Sequence, residues 1–355
     1  MAEKKILAVF GATGQQGGSV IHQLLSTPPE LLPNTSQFQL RALTHRSLPI
    51  SSTSIPLEQW HQLTHSPRPG DTTTTIQVVP KVDFHNLSSL LPALENVHTA
   101  FVMTTPSFSP SLTNPQKKNA DDREFLAAKN IASAALAQKV QTLIFSTLPN
   151  ITDLSAGKYT SVTPFDDKAR AESYIRSLHP QIKSAFLSLG FFMSNWLTQD
   201  FLSPKYDGGT NSWVMKLHVS GGTKIPLIDA GRDTGKFVAA ILENLEKYTG
   251  KEGDEIAGVF SRYTGQRVRY EQVAEEEFRE VGLRGLPESL KDVLVEGYKS
   301  LEEFGHVGAD TEKLVEEGER LVEGSGLGKL VGLEEFLAKE RYVLGEGPRA
   351  KQWGS

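Results

Sequence analysis

The chain has 355 residues, a formal net charge of −5 and no cysteine. The absence of cysteine excludes disulfide bonds, thiolate catalysis, iron–sulfur clusters and cysteine-type zinc sites. With 38% hydrophobic and 22% charged residues, and without an apolar run of about 18 residues, the composition is typical of a globular chain with no membrane span. The N-terminus is charged and lacks an export signal, so we expect a cytoplasmic location, with the nucleus as a second option.

Charge is distributed unevenly along the chain. Residues 1–250 carry 22 basic and 19 acidic side chains, whereas residues 251–355 carry 15 basic and 23 acidic ones, so the two parts contribute +3 and −8. Because an acidic surface repels phosphates, this pattern argues against direct nucleic-acid binding by the C-terminal third.

Strands and helices are predicted to alternate from residue 5 to about residue 190. Apolar runs predict strands at 5–10, 38–43, 76–79, 98–103, 140–145 and 184–189. Helical spacing predicts helices at 19–25, 87–94, 121–137 and 166–178, with a glycine-rich turn at 11–18 before the first. Residues 47–75 are rich in Ser, Thr and Pro and are predicted to form a surface insertion. This order predicts an α/β fold with a Rossmann-type, doubly wound parallel sheet.

Beyond residue 200 the pattern becomes irregular, and from Glu271 helical stretches separated by glycine-rich breaks dominate. We therefore expect the Rossmann-type domain to span residues 1–200. A smaller, mostly helical cap is expected over residues 201–345, with some strands returning to the core and with the site for a substrate or partner.

The most informative segment is the glycine-rich loop after the first strand. Gly11, Gly14 and Gly17 lie between an apolar strand and a helix, at the start of an alternating chain. Glycines let the backbone turn tightly and approach a pyrophosphate, and the following helix N-terminus attracts phosphate. A purely structural glycine turn is the alternative interpretation. A P-loop is excluded because the Lys-Ser or Lys-Thr pair is missing.

The end of the second strand bears on the choice between NAD and NADP. No acidic residue occurs between Glu30 and Glu58, although NAD sites usually place a carboxylate there to hold the ribose. Arg46 can instead pair with a 2′-phosphate, and Ser47 can donate a hydrogen bond to it. This favours NADP(H), while a solvated Arg46 without a ligand is the alternative.

Several motifs together carry a resemblance to a known family. They are Gly11–Val20, Phe165–Lys168, Phe191–Trp196, and Ile225–Asp229 followed by Asp233–Gly235. With these motifs the chain resembles the NmrA-like family, atypical members of the extended short-chain dehydrogenase/reductase superfamily. The resemblance extends to about residue 340 and implies a Rossmann domain with a small α/β cap and a dinucleotide in the cleft between them.

The resemblance also implies which residues contact the cofactor. The pyrophosphate loop would comprise Gly11, Ala12, Thr13, Gly14, Gln15, Gln16 and Gly17. The remaining contacts would be His45 and Arg46 at the 2′-phosphate, Asp83 and Phe84 at the adenine, Thr104, Thr105 and Pro106 at the ribose, and Phe192, Met193, Ser194 and Asn195 at the nicotinamide. Many relatives have arginine directly after threonine at the second strand, where this chain has His45.

The catalytic apparatus departs from that of typical short-chain reductases, which use Tyr-x-x-x-Lys. Lys168 is present, but Pro164 stands four residues before it and Tyr159 stands nine before it. Ser146 and Thr147, at the end of the fifth strand, can hold a carbonyl oxygen by hydrogen bonding. The similar isoflavone-reductase-like enzymes imply that Lys168 is the catalytic acid or base. The alternative is that Lys168 only binds the nicotinamide ribose.

Two functions remain open from the sequence. The first is an NADPH-dependent oxidoreductase that acts on a small organic substrate. The second is a catalytically silent redox sensor that binds NADP(H) and a transcription-factor or enzyme partner. A scaffold that ignores nucleotides conflicts with the glycine loop. No metal site is expected, because His61 and His65 lie in a Ser/Thr/Pro-rich segment without a clear third ligand.

Overall fold

The computed structural model describes residues 4–34, 37–50, 53–64, 75–106, 122–243, 251–252 and 260–346. Its centre is one seven-stranded sheet, formed by β1 (Lys5–Phe10), β2 (Phe38–Leu43), β3 (Ser54–Pro56), β4 (Thr75–Val79), β5 (Val97–Val102), β6 (Thr142–Thr147) and β7 (Lys183–Ser188). The strand order is β3-β4-β2-β1-β5-β6-β7, and every neighbouring pair is parallel except β3 with β4. The predicted Rossmann-type, doubly wound α/β fold is confirmed, with one antiparallel strand added at the edge.

The helices of this first half are α1 (Gln15–Ser26), α2 (Leu57–Thr64), α3 (Leu87–Ala93), α4 (Arg123–Ala137), α5 (Ile151–Leu154) and α6 (Thr163–Ser177). Two predicted boundaries were wrong. Helix α1 begins at Gln15 rather than Ser19, because Gly17 lets its first turn pack closely on the backbone of Phe10 and Gly11. Helix α6 begins at Thr163 because Pro164 is well suited to a first turn. The predicted helix start at Asp121 lies outside the described residues.

Part of the segment 47–75 is not a surface insertion. Residues 54–64 form β3 and α2, and the side chains of Ile55 and Trp60 are only 1% exposed. Ile55 pairs with Ile76 of β4, so this segment extends the sheet and its core. Because the surrounding residues are mostly polar, the sequence pattern did not indicate that these two apolar side chains are buried. The side chain of His61 and the whole of His65 lie outside the described residues.

The second half contains short strands and several helices. The strands are β8 (Phe191–Phe192), β9 (Lys205–Asp207), β10 (Ser212–Leu217), β11 (Lys224–Ile225), β12 (Leu227–Ile228), β13 (Lys251–Glu252) and β14 (Val268–Gln272), and the helices include α7 (Asn195–Thr198), α8 (Thr234–Glu243), Glu288–Phe304, Thr311–Gly324 and Leu333–Lys339. Strands β9, β10 and β14 form a three-stranded sheet. This half has an apolar cluster of its own, which includes Trp196, Phe260 and Phe278.

Helix α8 links the two halves by packing on α1. Gly235 donates its backbone N–H to the Ser19 hydroxyl at 2.9 Å, and a Cβ at Gly235 would lie 2.2 Å from the Ser19 carbonyl oxygen. Phe237 and Val238 of α8 are buried in the cluster that covers one face of the seven-stranded sheet. A domain boundary at residue 200 stays a prediction. Helix α8 comes after this position in the chain, but it belongs to the layer over the main sheet.

Candidate functional site

The predicted site residues follow the carboxyl ends of parallel strands. The glycine loop follows β1, His45 follows β2, Thr104 follows β5, and Ser146 and Thr147 end β6. Because these strands are parallel, their ends meet at one edge of the sheet, where open α/β folds bind ligands. The structure therefore brings residues more than a hundred positions apart to one cleft.

The geometry of the glycine loop explains its composition. Gly11 has φ +62°, a conformation that favours glycine, and a Cβ at Gly17 would lie 2.5 Å from the Gly11 carbonyl oxygen. A Cβ at Gly14 would meet nothing closer than that same oxygen, at 3.2 Å. Gly11 and Gly17 are thus required by the fold, whereas Gly14 is left free of such a close contact.

The N-terminus of α1 is suited to an anion. The first turn has no acidic residue, and the N-cap residue Gly14 provides no side-chain hydrogen bond. The first N–H groups of a helix lack intrahelical partners, and the positive end of its dipole attracts phosphate. The loop therefore fits a pyrophosphate, while Ala12 is fully buried and offers only its backbone.

A cavity of about 520 Å³, here called the polar cavity, lies beyond the ends of β2, β4 and β5. Its lining includes the predicted residues His45, Asp83, Phe84, Thr104 and Thr105. Lys81 and Arg123 add two positive side chains that the sequence analysis did not identify. Their chemistry suits a phosphate-bearing nucleotide.

Not every predicted cofactor residue faces this cavity. Arg46, Ser47 and Pro106 are outside its lining. Arg46 is half-buried, and its Nε has no hydrogen-bond partner among the described residues. The contact of Arg46 with a 2′-phosphate stays a prediction, and Lys81 and Arg123 are the lysine and arginine side chains that border the polar cavity.

A buried ion pair separates the polar cavity from a second one. Lys168 of α6 pairs with Glu124 of α4, and its Nζ also donates to the carbonyl and hydroxyl oxygens of Thr104, each at 3.0 Å. The Thr104 hydroxyl in turn donates to Glu124 Oε1 at 2.7 Å. All three residues are less than 10% exposed. Lys168 and Thr104 are predicted from the sequence, whereas Glu124 is not, because no motif marks an acidic residue on α4 as a partner of α6.

The second cavity, here called the apolar cavity, has a volume of about 280 Å³. It is lined mainly by apolar and aromatic side chains from both halves of the chain, together with the predicted residues Gln16, Ser146, Lys168, Phe192 and Asn195. Among its described lining residues, Lys168 is the one with a charged side chain. This cavity therefore suits an organic molecule without net charge beside a buried lysine.

The predicted nicotinamide segment 192–195 contributes unequally. The hydroxyl of Ser194 donates to Gln15 Oε1 at 2.9 Å, which joins this segment to the glycine loop. The side chain of Met193 is buried in the apolar cluster of the second half and is absent from the cavity lining. Phe192 and Asn195 line the cavity, so neighbouring residues of this segment face the core and the site.

Two tyrosines differ in their relation to the site. The hydroxyl of Tyr159 donates to Glu303 at 2.5 Å, and Tyr159 does not line the apolar cavity. Tyr298, from the helix Glu288–Phe304, does line it, and burial raises the pKa of its hydroxyl, which stays protonated. Tyr298 is not predicted from the sequence, because its position on the helix Glu288–Phe304 matches that of an ordinary buried core residue.

Burial also changes the titration of a carboxyl group beside Lys168. Burial raises the pKa of Asp167 to about 6, and the nearby carboxylates of Glu124 and Asp122 act in the same direction. Arg170, whose guanidinium lies 2.9 Å from Asp167, opposes this shift. Asp167 therefore changes its charge within the range in which many enzymes operate.

The comparisons with known proteins agree with this fold. A profile of the NmrA-like family matches residues 3–337, and the chain belongs to this family. An NmrA-like family domain-containing oxidoreductase, FrzB of a Cladobotryum species, is 28% identical over 306 residues, which is 81% of each chain. The predicted family membership is confirmed.

Solved structures share the fold at low sequence identity. The NADPH-dependent quinone oxidoreductase of Escherichia coli, complexed with NADPH, gives a TM-score of 0.64 at 17% identity and covers 95% of this chain and 100% of its own. The negative transcriptional regulator NmrA, in complex with NADP, gives a TM-score of 0.65 at 18% identity over 94% of both chains. An enzyme and a regulator thus share this architecture.

Two further findings concern the ranges that the structure describes. In these ranges, no helix combines the length and the apolar character needed to cross a membrane. The same residues contain no group of three or more His, Asp or Glu side chains placed to hold a metal ion.

Proposed function

We propose that this chain is an NADPH-dependent reductase that acts on a small, uncharged organic compound in the apolar cavity. The observation that carries the proposal is the position of Lys168, which lines this cavity and is hydrogen-bonded to the wall of the polar cavity. The names of an oxidoreductase relative and of an NADPH-bound quinone oxidoreductase with the same fold support it.

The cofactor would lie along the carboxyl edge of the sheet. The N–H groups at the start of α1 would hold its pyrophosphate, and the residues around the polar cavity would hold its adenosine part. Phe192 and Asn195 would border the nicotinamide. Bound NADPH would supply a hydride to a carbon of the substrate, whose oxygen or nitrogen gains a proton, while NADP⁺ is formed.

The remaining chemistry falls to side chains of the apolar cavity. Ser146 and Thr147 can donate hydrogen bonds to the substrate oxygen or nitrogen, which places it near the Lys168 ammonium. The positive charge of Lys168 stabilises the negative charge that develops there. Its three ammonium hydrogens are donated to Thr104 and Glu124, so Lys168 would donate the proton by giving up one of these hydrogen bonds. Glu124 compensates the charge of Lys168 within a buried site and fixes its position.

Replacing Lys168 by methionine tests this proposal. A screen of quinones, aldehydes, imines and enones for NADPH oxidation would first identify a substrate. Turnover should then fall by about two orders of magnitude in Lys168→Met, the usual scale of acid–base assistance. NADPH affinity should change much less. Lys205→Met, at an exposed lysine paired with Asp200, serves as the matched control and should keep full turnover.

A redox sensor is the second candidate function. The absence of a tyrosine at the Tyr-x-x-x-Lys position favours it, as does the structural likeness to a transcriptional regulator. Tight NADP(H) binding without turnover in the whole screen would support the sensor and contradict the reductase. A protein partner and a cytoplasmic or nuclear location stay predictions, which affinity capture and a fluorescent fusion would test.

A further inference from the structure

His306 is a cavity residue to which neither the sequence motifs nor the proposed function gives a role. It follows the helix Glu288–Phe304 and lines the apolar cavity. It also borders a third cavity of about 380 Å³, between β7 and the helix Thr311–Gly324. Its imidazole therefore stands in the wall between two cavities.

The hydrogen bonding of His306 defines which ring nitrogen carries the proton. Its Nε2 lies 2.8 Å from the carbonyl oxygen of Leu189, and a carbonyl only accepts, so Nε2 carries the hydrogen. Burial lowers the pKa of His306, so the ring is neutral near neutral pH. Nδ1 is therefore a hydrogen-bond acceptor, and it has no partner among the described residues.

The loop around His306 holds the ring in place. Gly305 has φ +73°, and a Cβ there would lie 2.7 Å from the Thr311 hydroxyl oxygen. That hydroxyl donates to the Gly308 carbonyl at 2.6 Å and accepts from the Val307 N–H at 3.0 Å. The imidazole also packs against the edge of the Phe165 ring, with centroids 6.0 Å apart. The acceptor is thus preorganised, which reduces the entropy lost on binding.

The rest of the apolar cavity restricts the ligand further. The charge of Lys168 is compensated by Glu124, so the wall offers no net charge to an ionic ligand. The rings of Phe165, Phe191 and Tyr298 line it and favour a flat ring system. An uncharged ring compound satisfies both conditions.

We propose that the apolar cavity selects uncharged ring compounds with an N–H or O–H donor as well as a reducible C=O or C=N group, and that Nδ1 of His306 accepts the hydrogen of that donor. The reducible group rests on the proposed function, whereas the donor preference concerns binding alone. A site that accepts a ligand hydrogen bond rejects the analogue without the donor, because its acceptor then stays unpaired.

Matched pairs of small carbonyl compounds test the donor preference. Isatin and N-methylisatin differ in one N–H, and 4-hydroxybenzaldehyde and 4-methoxybenzaldehyde differ in one O–H. Calorimetry with the NADP⁺-saturated protein, which cannot reduce them, measures their binding. We expect the donor member of at least one pair to bind about tenfold more tightly than its methylated partner.

The variant His306→Phe isolates the role of the ring nitrogens. Phenylalanine keeps an aromatic ring in the cavity wall but has no hydrogen-bond acceptor, whereas glutamine would bring an amide oxygen that accepts in place of Nδ1. The preference for the donor compound should disappear, while affinity for the methylated compound and for NADPH stays the same. His179→Phe, at an exposed histidine, is the matched control and should keep the preference.

The outcomes separate this inference from the proposed function. A donor preference that depends on His306, without any NADPH-dependent turnover, would contradict the reductase but support the inference. Equal binding of both members of each pair by the parent protein would overturn the inference, as would an unchanged preference in His306→Phe. Failure of the parent to bind any of the four compounds would overturn it too.

Discussion

At the residue scale, Lys168 and Glu124 depend on each other. Both side chains are buried, and Glu124 Oε2 has no hydrogen-bond partner among the described residues, so Oε1 makes the contacts to Lys168 and Thr104. Removing one partner of such a pair leaves an uncompensated charge in a medium of low dielectric constant. Glu124 therefore both stabilises the folded protein and holds the Lys168 ammonium in place.

We expect Glu124→Gln to lower the free energy of unfolding by about 3 kcal/mol, because Lys168 keeps its charge without a carboxylate. Urea denaturation measures this change. Glu316→Gln is the matched control, since Glu316 pairs with Arg320 at an exposed site and should cost less than about 1 kcal/mol. Adding Lys168→Met to Glu124→Gln should restore part of the loss. Equal losses of stability in Glu124→Gln and Glu316→Gln would contradict the assigned role of the buried pair.

Asp167 gives the free energy of unfolding a pH dependence of known sign. Its pKa of about 6 in the folded protein lies above the ordinary value of 3.8. The folded chain therefore holds the proton more tightly, and this stabilisation is present below about pH 4 and is lost as the pH rises through 6. In Asp167→Asn, the decrease in stability between about pH 4 and 7 should be smaller than in the parent. Identical pH profiles in urea denaturation would contradict the raised pKa, and Asp200→Asn is an exposed control.

At the scale of elements, the loop between β1 and α1 separates two roles of glycine. Gly17 lets the helix approach the carbonyl groups of Phe10 and Gly11, both within 2.6 Å of where its Cβ would lie. Gly14 makes no comparably close contact within the chain. Gly17 is therefore required by the fold, and Gly14 is where we expect the cofactor to approach.

Valine at these two positions should therefore give opposite results. Gly17→Val should lower the free energy of unfolding by about 1–3 kcal/mol or more through overpacking. Gly14→Val should cost less stability than Gly17→Val, because its Cβ would meet one backbone oxygen at 3.2 Å, but it should bind NADPH at least about tenfold more weakly, a loss of about 1.4 kcal/mol. Fluorescence titration with NADPH and thermal denaturation distinguish the two effects. Unchanged NADPH affinity in a folded Gly14→Val protein would exclude the loop from cofactor binding.

At the scale of the whole molecule, the two cavities share one wall and are built by different parts of the chain. The lining of the polar cavity comes from described residues between His45 and Ala127. The apolar cavity is lined by Gln16, by residues between Ser146 and Lys168, and by described residues between Leu189 and His306. Binding in the polar cavity thus involves the Rossmann half, and binding in the apolar cavity requires both halves. A ligand that binds only the folded chain raises its free energy of unfolding by about 2.7 kcal/mol when the free ligand concentration is about 100 times the Kd.

The preference for NADPH over NADH should follow from this arrangement. Arg46→Ala should weaken NADPH binding by about 1.5–3 kcal/mol if the arginine pairs with the 2′-phosphate, and it should leave NADH binding unchanged. Thermal shifts with each cofactor measure both. Lys81→Ala is the matched comparison, because Lys81 lines the polar cavity and Arg46 does not. A larger NADPH loss in Lys81→Ala would move the phosphate contact to Lys81, and equal losses of NADPH and NADH in Arg46→Ala would contradict its assigned role.

The sequence by itself determined six of the seven strands of the main sheet, the glycine loop and the family, because apolar runs and glycine spacing report local conformation directly. It also singled out Lys168 and the segment at Phe192. Only the tertiary structure joined Lys168 to Glu124, which lies 44 residues away, and His306 to Leu189, which lies 117 residues away. It also placed Ile55 and Trp60 in the core of a segment that looked exposed. Periodicity records whether a side chain is buried, but the partner of a buried polar group depends on how helices and loops pack over the sheet edge.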